Sequence, residues 1–251
     1  MYVVLVALVV VALFIADWAT IQRAFFDPEV ARDMLPDVIV IGMKNTLLYT
    51  ALSFAIGLTL ALVLALMKLS SIGPYRWFAN GYIELFRGLP ALVTIILVVF
   101  AIPIAFEGAA DWIPGGTTGR AVVGLSLVAA AYMAETIRAG IEAVPKGQTE
   151  AARSLGMSRA TAMISIVLPQ AFRIIIPPLT NELVLLIKDT SLFFVAGTTP
   201  VTKELTKLGR DLMSTHFNGT PLTVIAIAYL VITLPLTFLV SRLEKRSARA
   251  R

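Results

Sequence analysis

Hydrophobic positions along this chain come in long runs, with most of the polar positions gathered between them. Five runs, at 45–67, 83–106, 120–143, 177–197 and 221–241, are long enough to cross a hydrocarbon layer of roughly 30 Å as helices. A sixth, at 1–18, is only just long enough. No basic residue precedes it and it lacks a small-x-small cleavage site, so it reads as an N-terminal membrane helix packed at the periphery. The expected fold is an all-α integral membrane protein with five core transmembrane helices plus that N-terminal helix. No low-complexity stretch or internal repeat divides the chain, so 45–241 is expected to form one transmembrane domain, followed by a basic tail at 242–251.

The apolar pattern is interrupted most strongly at 144–176, far longer than an ordinary connector. Pro145, Lys146 and Gly147 stop the preceding run, and Gln148-Thr149 offers a polar helix start with Glu150 in the first turn. Ala151, Ala152 and Leu155 fall on one face at helical spacing. Gly156 lets the chain turn, and Ser158 caps a second helix running to Leu168, before Pro169. So short a first helix is marginal in water alone. It is therefore expected to offer its apolar face to the groove of a separate partner.

Composition narrows the classes. The chain is 58% hydrophobic and 15% charged, which fits a membrane protein. It has no Cys and one histidine, His216, so a thiolate or histidine-cluster metal site is excluded. Neither Gly-x-x-x-x-Gly-Lys-Ser/Thr, Gly-x-Ser-x-Gly nor His-Glu-x-x-His occurs, which argues against a P-loop ATPase or an intramembrane hydrolase. The net charge of +5 is unevenly placed. Lys68 and Arg76 lie in one connection without an acid. Lys146, Arg153, Arg159 and Arg173 face only Glu150 in the interrupted segment, and the tail carries Arg242, Lys245, Arg246, Arg249 and Arg251 against Glu244. The alternate connections differ: 108–119 holds Asp111 and no base before its end, and 20–44 holds four acids to three bases. By the positive-inside rule, 144–176 and the C-terminus face the cytoplasm. The basic balance thus records topology, and no basic patch interleaved with aromatics suggests nucleic acid.

Several charges fall inside the apolar runs. Each of Lys188 and Asp189 would cost about 2.5–3.5 kcal/mol at the centre of a lipid-facing helix, so both are expected to face protein or water. Asn181 and Lys188 are seven apart and share a face, with Glu182 and Asp189 on an adjacent one. Arg138 can reach both Glu135 and Glu142. Two readings stay open. One is an ion-pair network that positions helices. The other is a polar pathway for a zwitterion, with Glu135 and Lys188 among its residues. Arg87 reads as an interfacial snorkeller or structural contact. Pro90 and Pro103 are expected to kink their span.

The interrupted segment resembles the cytoplasmic signature of permease subunits of ATP-binding-cassette importers. Glu150-Ala151-Ala152, Gly156, Ile166 and Leu168-Pro169 match it at every position and spacing. The resemblance implies a type I importer permease fold with a cytoplasmic coupling helix, and it assigns these residues, with Leu155, to docking on an ATPase. Glu84-Leu85-Phe86-Arg87-Gly88-Leu89-Pro90 is similar to a run of the polar amino-acid branch. So are Tyr132-x-x-Glu135-x-x-Arg138-x-Gly140-Ile141 and Asn181 with Lys188-Asp189-Thr190-Ser191-Leu192. Two positions depart from that branch: Leu89 replaces Thr, and Thr94 stands where many members have Gln. The resemblance implies import of a polar amino acid such as glutamine, glutamate, histidine or arginine. Glu135, Arg138, Asn181, Lys188, Asp189, Ser191 and Thr94 are its pathway candidates. It implies a P-loop ATPase dimer that binds ATP and Mg, a second permease, an extracytoplasmic amino-acid-binding protein and a bacterial inner membrane, with no cofactor in this chain. An ion-coupled carrier or channel is the alternative; it would explain the buried charges but leave the docking segment without a purpose.

Overall fold

The computed structural model of the chain describes residues 14–249. Most of the 1–18 run, expected to be an N-terminal membrane helix, therefore lies outside the described residues. Helix α1 (Trp18–Phe25) is capped by Asp17, whose side chain accepts from the Thr20 N–H at 3.0 Å. Helix α2 (Pro28–Asp37) is capped by Asp27 and passes through a π-helical segment, Val38–Met43, into α3 (Lys44–Leu69). Residues 20–44, which looked like a polar connection, are therefore largely helical. Met34 and Val38 supply the reason: both are buried with Leu205, Leu208 and Ile225 in a second core cluster.

The apolar run at 83–106 is not one straight helix. Helix α4 (Gly73–Gly88) meets α5 (Ala91–Ile96) at 105°. Leu89 is extended, at φ −91° and ψ 139°, as the residue before a proline prefers to be, and Pro90 then opens α5. A π-helical segment, Leu97–Ala101, joins α5 to α6 (Ile102–Ala105).

Helix α7 (Gly116–Glu142) is the hub, packed by α3, α4, α5 and a later helix, α10 (Leu168–Asp189). Its small residues make this possible: Ala129, Ala130, Ala131 and Ala134 are buried, and a Cβ built on Gly140 would sit 2.2 Å from Ile175 Cγ1. Beyond α7 come α8 (Lys146–Ser154) and α9 (Arg159–Ala162). A π-helical segment, Met163–Val167, then leads into α10 and a 3₁₀ turn, Thr190–Val195. The helix expected to stop at Leu168 instead continues, giving an apolar span of Arg159–Val195. The Leu168 N–H reaches back five residues to Met163 O, and that wider turn gives the ring of Pro169 room.

Helices α11 (Leu205–His216) and α12 (Thr220–Arg249) complete the order. Four helical stretches among the described residues are long and apolar enough to cross a membrane, and the bent α4–α6 pair makes a fifth. Because the spans alternate in direction, α8 shares one end of the molecule with the 69–73 turn; this is called the elbow end below. Loop 106–115 and α11 lie at the opposite end. There, the polar first turns of α3 hold the approach to α11. Asn45 Nδ2 donates to Val201 O at 2.8 Å and Lys203 O at 2.9 Å, and Tyr49 donates to Thr202 O at 2.9 Å.

Candidate functional site

The first candidate site is the elbow. Helix α8 starts at Lys146, earlier than expected, with Pro145 in the cap position and the Gln148 N–H bonded to Pro145 O at 3.0 Å. Proline's fixed φ opens the helix, so Glu150 sits past the first turn. The C-terminus closes with a double bond pattern: Gly156 N–H to Arg153 O at 3.0 Å and Met157 N–H to Ala152 O at 3.1 Å. Gly156 has φ +85°, where an L side chain is strained, although open space surrounds it. Arg153 Nη1 adds a bond to Met157 O at 2.8 Å, and Ser158 Oγ accepts from the Thr161 N–H at 3.1 Å to cap α9.

The expected docking residues divide by exposure. Glu150 and Ala151 are exposed, and Leu155 is 85% exposed, an unusual state for a leucine whose backbone is so well tied. Ala152 turns inward and is buried. Ile166 and Leu168 are half-buried and Pro169 is exposed. Gln170 Nε2 bonds Ile166 O at 2.8 Å, stitching the π-helical turn.

Among the pathway candidates, Glu135 and Arg138 are brought together near the elbow end. Arg138 Nη2 and Nε donate to Glu135 Oε2 at 2.8 and 3.2 Å. Lys68 of α3 donates to the other Glu135 oxygen, and Arg138 also pairs with Glu142. Four charges thus bridge the end of α3 to the last turns of α7.

The remaining candidates are scattered. Asn181 and Lys188 lie on an exposed face of α10, and Ser191 is half-buried in the 3₁₀ turn. Thr94 is buried, and its hydroxyl finds no partner among the described residues. Asp189 alone lines a cavity of about 470 Å³ beside the bend between α4 and α5. That cavity brings Asp189 together with Glu182, Tyr132 and Arg87. The guanidinium of Arg87 lies 5.5 Å above the Tyr132 ring, and both residues are exposed, so the pair lines an open side of the cavity. The sequence carried a signal for Glu182, its seven-residue spacing from Asp189. Nothing in it foretold that Arg87 would face the same space.

At the opposite end, a carboxylate that sequence reasoning passed over is fully buried. Glu204 caps α11 and accepts from the backbone N–H groups of Thr206 and Lys207 at 2.5 and 2.6 Å. Burial pushes its carboxyl up to about 7, against the downward pull of these hydrogen bonds and that of Tyr229.

A multi-span chain, helical among the described residues, with an exposed, tightly closed elbow and an open cavity lined in part by Arg87, Glu182 and Asp189 has the architecture of a membrane transport component. The chain belongs to the family described as binding-protein-dependent transport system inner membrane component, whose model matches residues 54–249. The arginine transport system permease protein of Bacillus subtilis is 37% identical over 82% of this chain and 90% of its own length. A glutamate/aspartate import permease protein of Escherichia coli is 34% identical over 82% of this chain and 92% of its own. Among solved structures, an amino acid ABC transporter with histidines superposes with a TM-score of 0.76 at 37% identity, over 88% of this chain and 98% of that one. A methionine ABC transporter in an inward-facing conformation reaches 0.67 at 17% identity, a likeness of fold. The expected type I permease fold and the assignment of ATP hydrolysis to another chain agree with these relationships, and nothing in them favours a carrier or channel.

Proposed function

We propose that this chain is the membrane-spanning permease of an importer that carries a polar amino acid into a bacterial cytoplasm across the inner membrane. The observation that carries the reading is the elbow, where a nearly bare leucine is presented on a helix locked at its end by Gly156. An external partner accounts for such a surface. A P-loop ATPase dimer fits it, binding ATP and Mg and closing on ATP, with Glu150, Ala151, Ala152, Leu155 and Gly156 as the moving joint and Ile166, Leu168 and Pro169 behind it. The charge distribution supports an elbow and C-terminus on the cytoplasmic side. A second permease, identical or homologous, completes the pore, and an extracytoplasmic binding protein delivers the amino acid to the opposite end. Residues 45–241 are the permease domain in this reading, 144–176 its coupling segment, 242–251 a basic cytoplasmic tail, and 1–18 a peripheral helix.

Mechanism follows from rigidity. The Arg159–Val195 helix runs without a break from just beyond the elbow to the far end, so a displacement at Leu155 is passed to α10 and its neighbour α7. The pathway residues then see alternating access to the two sides. Reconstitution tests the reading. The complex purified with its ATPase should take up amino acid in proteoliposomes only with ATP and binding protein, and Gly156→Asp or Glu150→Arg should leave ATP hydrolysis intact while uptake falls. Transport by this polypeptide alone, or normal uptake by both variants, would overturn it.

A further inference from the structure

The last span ends in a pattern that neither the elbow nor the cavity uses. Helix α12 has 30 residues, about 45 Å of helix, against a hydrocarbon layer of roughly 30 Å. It starts at Thr220, close behind α11 at the end opposite the elbow, so it leaves the hydrocarbon about 20 residues later. Its final turns therefore project from the membrane at the elbow end.

One side of α12 is buried, with Ile225, Ala228 and Ile232 in the second core cluster. The other side is apolar and bare: Ile227, Val231, Leu234 and Phe238 are exposed at steps of three and four residues. The same spacing then continues into bases. Arg242, Lys245, Arg246 and Arg249 stand four, seven, eight and eleven residues after Phe238, within about 80° of it around the helix. Glu244, the one acid of this stretch, is six residues on and about 120° away. The positive-inside rule calls for bases at this end, but not for bases on one side. Arg242 and Lys245 are exposed, and the Arg242 guanidinium lies 4.3 Å from the centre of the exposed Phe238 ring. A cation is thus stacked on an aromatic ring at the level where hydrocarbon gives way to headgroups. We infer that this stripe binds anionic phospholipid headgroups of the inner leaflet, Arg242 and Lys245 nearest the phosphates and Arg246 and Arg249 adding charge one turn further out. Apolar, then aromatic, then cationic is the order of a leaflet from its tails to its surface; a soluble protein meeting the same bases would leave that order unexplained. From the importer reading the inference takes only the side of the membrane.

The test uses the ATPase-containing complex in mixed micelles of radiolabelled phosphatidylglycerol and phosphatidylcholine, separated from free micelles by gel filtration. Phosphatidylglycerol is expected to be retained over phosphatidylcholine about fivefold near 0.15 M salt, the preference shrinking toward parity near 1 M, where the screening length is about 3 Å. Changing all four bases to Gln should remove most of the preference, and changing the three arginines to Lys should keep it. A register exchange, Arg249→Ser with Ser247→Arg, keeps the net charge and moves one base about 160° around the helix, so it should cost about twofold of the preference. The selectivity of the unaltered complex needs no variant, and the exchange keeps the charge that sets topology, so misinsertion of the neutralised form cannot shield the idea. Equal retention of the two lipids by the parent overturns the inference. So does an exchange variant as selective as the parent, which would make the tail a diffuse charge. A neutralised variant that keeps its phosphatidylglycerol and sheds the ATPase gives the stripe to that subunit instead. In each of these cases ATP-driven uptake, and with it the importer reading, stands. If the stripe selects phosphatidylglycerol but no amino acid enters with ATP and binding protein, the importer reading falls and the headgroup site remains.

Discussion

Lys68, one residue from the end of α3, donates to the carboxylate of Glu135 on α7, the same group that Arg138 grips through two nitrogens. One acid therefore serves two cations from two helices. Its loss should cost more than the loss of either cation, because Lys68 then loses its carboxylate and Arg138 keeps only Glu142. Glu135→Gln is expected to destabilise the protein by about 2 kcal/mol and Lys68→Met by about 1 kcal/mol. The double variant should be less damaged than the sum. Thermal midpoints in detergent give the comparison; equal and additive losses would deny that Glu135 is the shared node.

A second prediction concerns the packing of α7 against α10. A Cβ on Gly140 would meet Ile175 Cγ1 at 2.2 Å and Cδ1 at 3.0 Å, so Gly140→Ala forces α7 and α10 apart. A loss of about 1–3 kcal/mol is expected from such overpacking. Ile175→Ala removes both clashing atoms and should restore part of the stability in the double variant, although alone it leaves a hole. If Gly140→Ala is as stable as the parent, the two helices are not as tightly packed as they look.

The elbow allows a graded series. At φ +85°, Asn is tolerated better than Ala, and Ala better than Val. Coupling efficiency, measured as amino acid imported per ATP hydrolysed, is expected to fall in the order Gly156, Asn, Ala, Val. Because open space surrounds the position, a ranking by side-chain size alone would make Asn worse than Ala. That order would refute the backbone explanation.

Much of this was legible in the sequence, and the reasons differ by element. Runs of about twenty apolar residues have few alternatives in a bilayer, so four spans and their order could be read directly. Gly156 and Ser158 announced the turn and the cap because both act within a few residues. What escaped detection was set from a distance. Residues 28–37 look polar enough for a loop, but Met34 and, just beyond, Val38 become helical against Leu205 and Ile225, far away in the chain. Pro169 looked like a stop, and the π-helical turn before it removed the clash. Glu204 resembled any loop acid until Tyr229 and the first turn of α11 enclosed it. Arg87 is the clearest case: its role depends on the bend at Leu89-Pro90, which aims α4 at the cavity beside α10.

That enclosed acid gives the last prediction, a pH dependence with a definite sign. Tyr229 donates to Glu204 Oε2 at 3.2 Å, and two backbone N–H groups bind the carboxylate, yet burial dominates and raises it to about 7 from an ordinary 4.5. A folded-state value above the unfolded one means the folded protein keeps a proton that the unfolded chain has released. Stability should therefore fall as pH rises from about 4.5 to about 7 and level off above, by on the order of 3 kcal/mol if this group acted alone. Asp211, on the same helix, works the other way at lower pH. Burial raises its carboxyl, but hydrogen bonds from Lys203 and Lys207 outweigh that and hold it below 3.8, so its contribution is lost only on stronger acidification. Glu204→Gln cannot accept both backbone N–H groups equally, so it should be less stable than the parent near pH 5. It should also lose the slope between about pH 5 and pH 7. Thermal midpoints of parent and variant across that range decide the matter: a slope that survives in Glu204→Gln belongs to some other group.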